Sequence, residues 1–192
     1  HFWMTHPHES LSLIVIQQYN WYQEKKREFY TVTALVREAY ISADRSTGRE
    51  YKLVEALRES DAYIPKLSLV SIIDNAIAGY GMFLRGKVGD QDVLILGLLA
   101  VAQSMRGHGV GGALVLEGQR LARKMGYSYL FVYGSNVYYP RLGYDFAHNF
   151  GVEPPEGLDR EHMMCIKLDA QAAPLEAGTL EYPELFKTLE MF

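Results

Sequence analysis

Between Asp92 and Met125 the chain passes from an apolar run to a glycine cluster to a helical repeat, and that succession narrows the folds open to it. Residues 93–101 are aliphatic apart from Gly97 and are bounded by polar residues. Such a run suits a strand buried on both faces. A lone glycine inside it marks a bulge or a close backbone approach. The cluster Arg106-Gly107-His108-Gly109-Val110-Gly111-Gly112 follows. Beyond it Val110, Leu114, Gly118, Leu121 and Met125 recur at helical spacing, with Glu117, Arg120 and Lys124 on another face. Arg120, Arg123 and Lys124 suit the C-terminal half of a helix, and Gly126 suits the position just past its end.

The start of this helix carries a chemical signal. No Asp or Glu occurs between Val93 and Leu116, although acids favour a first helical turn. Glycines there remove Cβ atoms and let a ligand reach backbone N–H groups. Those groups and the helix dipole together make an anion site, to which Arg106 can add bidentate hydrogen bonds. The stretch reads as strand, phosphate cradle, helix. The alternative is a flexible glycine-rich turn with no ligand.

At 192 residues and 21.8 kDa the chain is expected to hold one domain with a sizeable core. His1-Phe2-Trp3 precede Met4 and resemble a cloning remnant, which would make the domain residues 4–192. A net charge of -4 and a pI near 5.9 give no basic footprint, so no nucleic-acid partner is expected. Cys165 is the sole cysteine; no intrachain disulfide can form, and a reduced compartment fits. The apolar run 11–16 is too short for a leader or a membrane span, so the expected setting is cytoplasmic, away from the membrane.

Other segments follow from periodicity and turn chemistry. Residues 11–18 read as a first strand. Asn20 followed by Gln23 resembles a capping box opening a helix from Trp21 to about Tyr40. Residues 50–59 are helical, with Leu53, Val54 and Leu57 buried. Residues 67–73 and 77–85 are strands joined at Asp74-Asn75, and residues 86–92 turn the chain into the strand at 93. Residues 128–133 are a strand, 137–142 a short helical turn and 162–168 a late strand. The tail from 170 to 192 carries Pro174, Gly178 and Pro183 and reads as irregular, held on the surface through Tyr182 and Phe186. The sum is an α/β chain with a mixed sheet: an antiparallel meander, then one βαβ crossover, with helices on both faces.

Gly107 to Gly112 also satisfies G-x-G-x-x-G. A dinucleotide oxidoreductase would need an acid at the end of the next strand, and residues 129–136 contain none. No Gly-Lys-Ser/Thr ends the loop, no G-x-S-x-G elbow occurs, and no His/Cys/Asp cluster has metal-ligand spacing, so no metal is expected.

Arg106-x-x-Gly109-x-Gly111 resembles the Gln/Arg-x-x-Gly-x-Gly/Ala motif of the GNAT superfamily of N-acetyltransferases. Tyr138-Tyr139-Pro140-Arg141-Leu142-Gly143-Tyr144 resembles that family's Tyr-x-Lys/Arg-x-Gly-Phe segment. The element order from 11 to 168 is similar too. The resemblance implies that acetyl-CoA is the cosubstrate. Its pyrophosphate would lie on Arg106, Gly107, His108, Gly109, Val110, Gly111 and Gly112, and its pantetheine arm along the bulged strand at Leu99, Ala100 and Val101. It places the general acid on Tyr139; Tyr138 itself reads as a core residue. Many members put an Asn some seven residues before the Tyr; here Asn136 stands only three before it, a spacing like that of uncharacterised bacterial members.

The reaction so implied is direct attack of an amine on the thioester. It needs a neutral amine, a donor for the oxyanion near Val101, and a proton for the departing thiolate. A tyrosine of pKa about 10 can protonate a thiolate whose acid has pKa about 8.5. The family has no fixed base motif. Glu38, Glu55 and Asp92 are candidates, though each reads better as solvated surface, and His108, His148 and His162 read better as loop or structural residues. The runner-up is a non-catalytic acyl-CoA-binding module on the same fold. The acceptor, a small-molecule or peptide amine, is not legible, nor is the oligomeric state; a homodimer is compatible.

Overall fold

The computed structural model describes residues 20–192, and the strand expected at residues 11–18 lies outside them. The first described element corrects an expectation. Residues 20–23 do not open a helix; they form strand β1 (Asn20–Gln23), paired antiparallel with β2 from Asn20↔Ile72 to Gln23↔Leu69. The reason lies one residue on. Extension carries Glu24 inward, where its carboxylate meets Arg58 and accepts hydrogen bonds from Ser68 Oγ (2.8 Å), Tyr80 Oη (3.1 Å) and Tyr63 Oη (3.3 Å). Helical capping comes later, where Glu28 accepts from the Lys25 backbone N–H (2.8 Å) and from Tyr22 Oη (2.5 Å). Helix α1 then runs Phe29–Ile41 and α2 runs Glu50–Arg58.

Strands β2 (Tyr63–Ile73), β3 (Ala76–Val88) and β4 (Gln91–Val101) make the expected meander, each longer than its apolar run. Asp74 and Asn75 both take positive φ (49° and 63°), which matches the twist of a two-residue hairpin. Gly97 is the bulge: Met82 faces Leu98 while Phe83 already faces Leu96.

Helix α3 (Val110–Lys124) crosses over to β5 (Tyr129–Tyr133), which lies parallel to β4. Two short strands, β6 (Asp145–Phe146) and β7 (Val152–Glu153), precede β8 (Met163–Lys167). The sheet order is β1-β2-β3-β4-β5-β8-β6. The tail is more regular than its composition suggested. Strand β9 (Gly178–Glu181) pairs with β7 and with the end of β3, and helix α4 (Leu185–Thr188) buries Phe186. Gly178 and Pro183 bound these elements and do not break them, and Leu180 and Phe186 supply the apolar area that anchors them.

Helices cover both faces. On one, Val32, Val36, Leu53 and Leu57 of α1 and α2 pack on Val70, Tyr80, Met82 and Leu98. On the other, Val110, Leu114 and Val115 of α3 pack on Leu67, Phe83 and Leu94. The buried stripe of α3 ends on Ala122, and Met125 is exposed. Gly118 explains how closely α3 lies on the sheet, since a Cβ there would stand 2.0 Å from Phe83 Cζ.

Candidate active site

Strands β4 and β5 are joined only at Leu94↔Leu130 and Ile95↔Phe131. Beyond that point the two strands part, and residues 96–101 have no strand partner on that side among the described residues. In the antiparallel alternation with β3, Leu99 turns its backbone groups away from β3 and into the gap. There its N–H donates to Tyr40 Oη (3.4 Å) and its carbonyl accepts from the same hydroxyl (3.2 Å). Tyr40, from the last turn of α1, is thus wedged where the strands separate. Burial pushes its pKa up to about 12, opposed by the Leu99 backbone contact and assisted by the Glu50 carboxylate.

Two cavities meet at this wedge, since Tyr40 and Gly134 line both. The first, about 660 Å³, is bordered by Leu99, Val101, Arg106, Gly107, Gly109, Val110, Gly111, Tyr138 and Tyr139. It opens on the N-terminus of α3, whose first turn holds no acid. Gly109 at the N-cap has φ of 82°, a conformation costly for a side chain, and no side chain caps the first N–H groups of α3. Most of the expected cradle therefore lines one cavity, and three of its residues do not. Ala100 is buried against α1 and pairs with Tyr80, Gly112 lies outside the lining, and His108 folds its Nδ1 back to within 3.0 Å of the Arg106 carbonyl. Arg106 borders the cavity while its Nη2 donates to the Ala39 carbonyl at the end of α1 (2.9 Å), which leaves other guanidinium N–H groups for a ligand.

Tyr138 departs from the sequence reading. It is not in the core: it stands 36% exposed over the cradle, and its hydroxyl would lie 3.1 Å from a Cβ on Gly112. Tyr139 is the buried one. Its ring makes edge contacts with Tyr138 (5.2 Å) and Tyr144 (5.6 Å) and lies over Gly134, where a Cβ would come within 2.8 Å. Its hydroxyl has no hydrogen-bond partner among the described residues, and burial pushes its pKa well above the usual tyrosine value, with the Tyr40 and Tyr138 hydroxyls adding to the rise. Such a group stays protonated and faces a cleft, so it can offer a hydrogen bond to a ligand there.

The second cavity, about 430 Å³, lies across the wedge. It was missed in the sequence because no motif marks it. Its lining includes Asp44, Arg45, Glu50, Leu96, Leu98, Tyr133, Asp159 and the tail rings Tyr182, Phe186 and Phe192. Glu38, Glu55 and Asp92 border neither cavity, and Asp92 pairs with Lys87 at 3.2 Å. His162 braces the wall: one ring nitrogen lies 2.9 Å from the Gly134 carbonyl and the other 2.6 Å from Arg45 Nη2. Since arginine only donates, Nε2 accepts and Nδ1 carries the proton to Gly134. His148 stacks on Phe146, and Asn136 borders neither cavity. Among the described residues no group of His, Cys, Asp and Glu could hold a metal ion.

A mixed sheet parted beside a glycine-opened helix N-terminus defines a class of α/β proteins with a ligand cleft at the helix start. Comparison with known proteins places the chain within it: residues 18–144 match the model of the acetyltransferase (GNAT) family, and the chain belongs to that family. It is 33% identical over 158 residues to the uncharacterized N-acetyltransferase YhbS of Escherichia coli, a match covering 81% of this chain and 90% of that one. It is 33% identical over 130 residues to the uncharacterized N-acetyltransferase YjhQ of the same organism, covering 65% and 72%. The crystal structure of E. coli YhbS in complex with CoA superposes with a TM-score of 0.80 at 25% identity over 88% of this chain and 92% of that one. A GNAT acetyltransferase from Brucella melitensis in complex with acetyl-CoA shares the fold, with a TM-score of 0.73 at 22% identity over 88% and 97%.

Proposed function

We propose that this protein transfers the acetyl group of acetyl-CoA to an amine, with the α3 cradle holding the cosubstrate and the cavity across the wedge holding the acceptor. The observation that carries the reading is the parting of β4 and β5 between two cavities that share Tyr40 and Gly134. The cradle fits a pyrophosphate: N–H groups of a helix start, no acid in the first turn, and a cavity of cofactor size. Acetyl-CoA supplies the acetyl group as a thioester.

The residues divide the work by position. Gly109, Val110 and Gly111 turn backbone donors toward the phosphate region, and Arg106 borders it with free donors. Leu99 and Val101 offer backbone groups in the gap, where an N–H can meet charge developing on the carbonyl oxygen. For the first of these, Tyr40 must release Leu99. A carboxylate of the acceptor cavity, directly or through water, takes a proton from the ammonium. The freed nitrogen attacks the carbonyl carbon, the C–S bond breaks, and Tyr139 donates to the departing sulfur. The balance is R–NH3+ plus acetyl-CoA giving the N-acetyl amine, free CoA and one proton. The E. coli relatives named N-acetyltransferases support this reading.

Thiol release from acetyl-CoA that depends on an added amine tests it, together with Arg106→Ala. The substitution is expected to weaken CoA and acetyl-CoA alike by about tenfold in calorimetry and to leave a pantetheine fragment, which lacks the pyrophosphate, unchanged. Equal losses for fragment and whole cofactor would make Arg106 only a tether to Ala39.

A further inference from the structure

The acceptor cavity has a composition that selects among amines, and we infer that its substrate is a small primary amine with an apolar, aryl-sized body and no carboxylate. The inference rests on the acetyltransferase reading above and concerns the chemistry of the second cavity alone.

Start with charge. Among the described residues, Asp44, Glu50 and Asp159 line the cavity against a single cation, Arg45. Arg45 is engaged: its guanidinium donates to Tyr133 Oη (3.4 Å) and to His162 (2.6 Å). Glu50 is engaged too, accepting from the Thr47 N–H (2.7 Å) and from Ser46 Oγ (3.1 Å). Asp44 and Asp159 have no ion-pair or hydrogen-bond partner for their carboxylates among the described residues, so the cavity presents uncompensated negative charge. Asp44 lies in the turn just past the end of α1, and the Asp159 backbone N–H donates to Tyr133 Oη (3.2 Å). Both acids line the cavity that Tyr40 and Gly134 also border, through which an ammonium must reach the gap. A carboxylate on the acceptor would meet two like charges and find no free cation.

The remaining wall is apolar and largely aromatic. Tyr182, Phe186 and Phe192 form a ring cluster with centroids 4.8 Å and 5.3 Å from Tyr182, and Leu53, Leu98 and Met191 join it. A diamine has no ring to pack against this wall and would fill less of it than an aryl group does. The tail is also strapped down: Arg49 donates to the Leu189 and Glu190 carbonyls and pairs with the Glu190 carboxylate (3.2 Å). With that wall closed, a cavity of about 430 Å³ suits a ring and a short linker better than a continuing peptide.

The test compares matched amines at saturating acetyl-CoA: 2-phenylethylamine, phenylalanine, 1,4-diaminobutane and a tetrapeptide beginning with Phe. Phenylethylamine is expected to show at least about tenfold higher kcat/KM than each of the others. Phe192→Ala should raise its KM about tenfold while leaving the KM of ethylamine and of acetyl-CoA in place, a split that general loosening would not give. Asp159→Asn should narrow the preference over phenylalanine. Turnover in which the diamine, the amino acid or the peptide equals phenylethylamine would overturn the inference, and so would an unchanged KM in Phe192→Ala. CoA binding without release by any of the four amines would overturn it while sparing the cradle. Failure to bind CoA at all would instead sink the acetyltransferase reading beneath it.

Discussion

Tyr139 owes its place to an absent methyl group. Gly134 leaves room for the ring, the edge contacts with Tyr138 and Tyr144 fix it, and the hydroxyl is left facing the cleft. If it donates to the leaving sulfur, its hydrogen bond matters chiefly as charge develops there. Tyr139→Phe is then expected to lower kcat on the order of 10- to 1000-fold while acetyl-CoA affinity stays within about twofold. Because burial raises its pKa, the acid form persists through neutral and mildly alkaline pH. Any alkaline fall in kcat below pH ~10 would have to come from another group. An undiminished kcat in the Phe variant would reduce Tyr139 to a packed ring. The motif made this residue legible, and position in a pattern was the whole of the signal. Tyr40, Asp44 and Asp159 carried no such mark: they reach the cleft because α1 ends there and because the 157–159 loop folds back on Tyr133, which are facts of tertiary assembly.

At the level of elements, the strand, the glycine cluster and the helix behind them were legible because each states its backbone need in residue type. Gly97 forms the bulge, Gly109 takes positive φ, and the apolar period changes where β4 gives way to α3. Gly111 gives the cleanest test of the cradle. A Cβ there would make ordinary contacts with Leu99 and Val101 at 3.5 Å, so the fold should tolerate a side chain. Gly111→Val should keep its melting temperature near that of the parent and lose at least tenfold in acetyl-CoA affinity, about 1.4 kcal/mol. Unchanged affinity measured by calorimetry would remove the phosphate reading. The first element misled for the opposite reason. Asn20 and Gln23 imitate a cap, and what overrides them is the buried carboxylate of Glu24, whose partners Arg58, Ser68 and Tyr80 lie far off in sequence. Removing one side of that pair strands the other in the core. Arg58→Ala is expected to cost about 3–5 kcal/mol in urea unfolding, whereas Arg49→Ala, whose salt bridge to Glu190 is exposed, should cost under about 1 kcal/mol. Equal losses would mean that Glu24 is satisfied without its arginine.

Across the whole molecule the sheet order could be anticipated from alternation and one crossover, but the second cavity could not, because among the described residues it is built from five separate parts of the chain. Residues 40–53, β4, the end of β5, the 157–159 loop and the tail meet only once the sheet has twisted and β9 has paired with β3. The same closure buries tyrosines in both halves, and this has a consequence for stability. Tyr40, Tyr80, Tyr139 and Tyr144 all have pKa values raised by burial, that of Tyr40 to about 12 from a usual 10.0. Below pH 10 each is protonated both folded and unfolded, and the rings contribute their full burial. As pH rises past 10 the unfolded chain releases these protons while the folded chain holds them. The unfolded state then binds fewer protons, and the unfolding free energy must fall with pH. Each such group contributes a slope of up to about 1.4 kcal/mol per pH unit in that window, for Tyr40 between about 10 and 12. Urea midpoints should therefore be flat from pH 8 to 9.5 on this account and drop steeply by pH 11. Tyr144→Phe should flatten the drop, because a ring without a hydroxyl has nothing to ionise. A midpoint that held steady through pH 11 would show that these hydroxyls ionise as readily in the folded chain as in the unfolded one, and that the cleft around Tyr139 is far wetter than its packing implies.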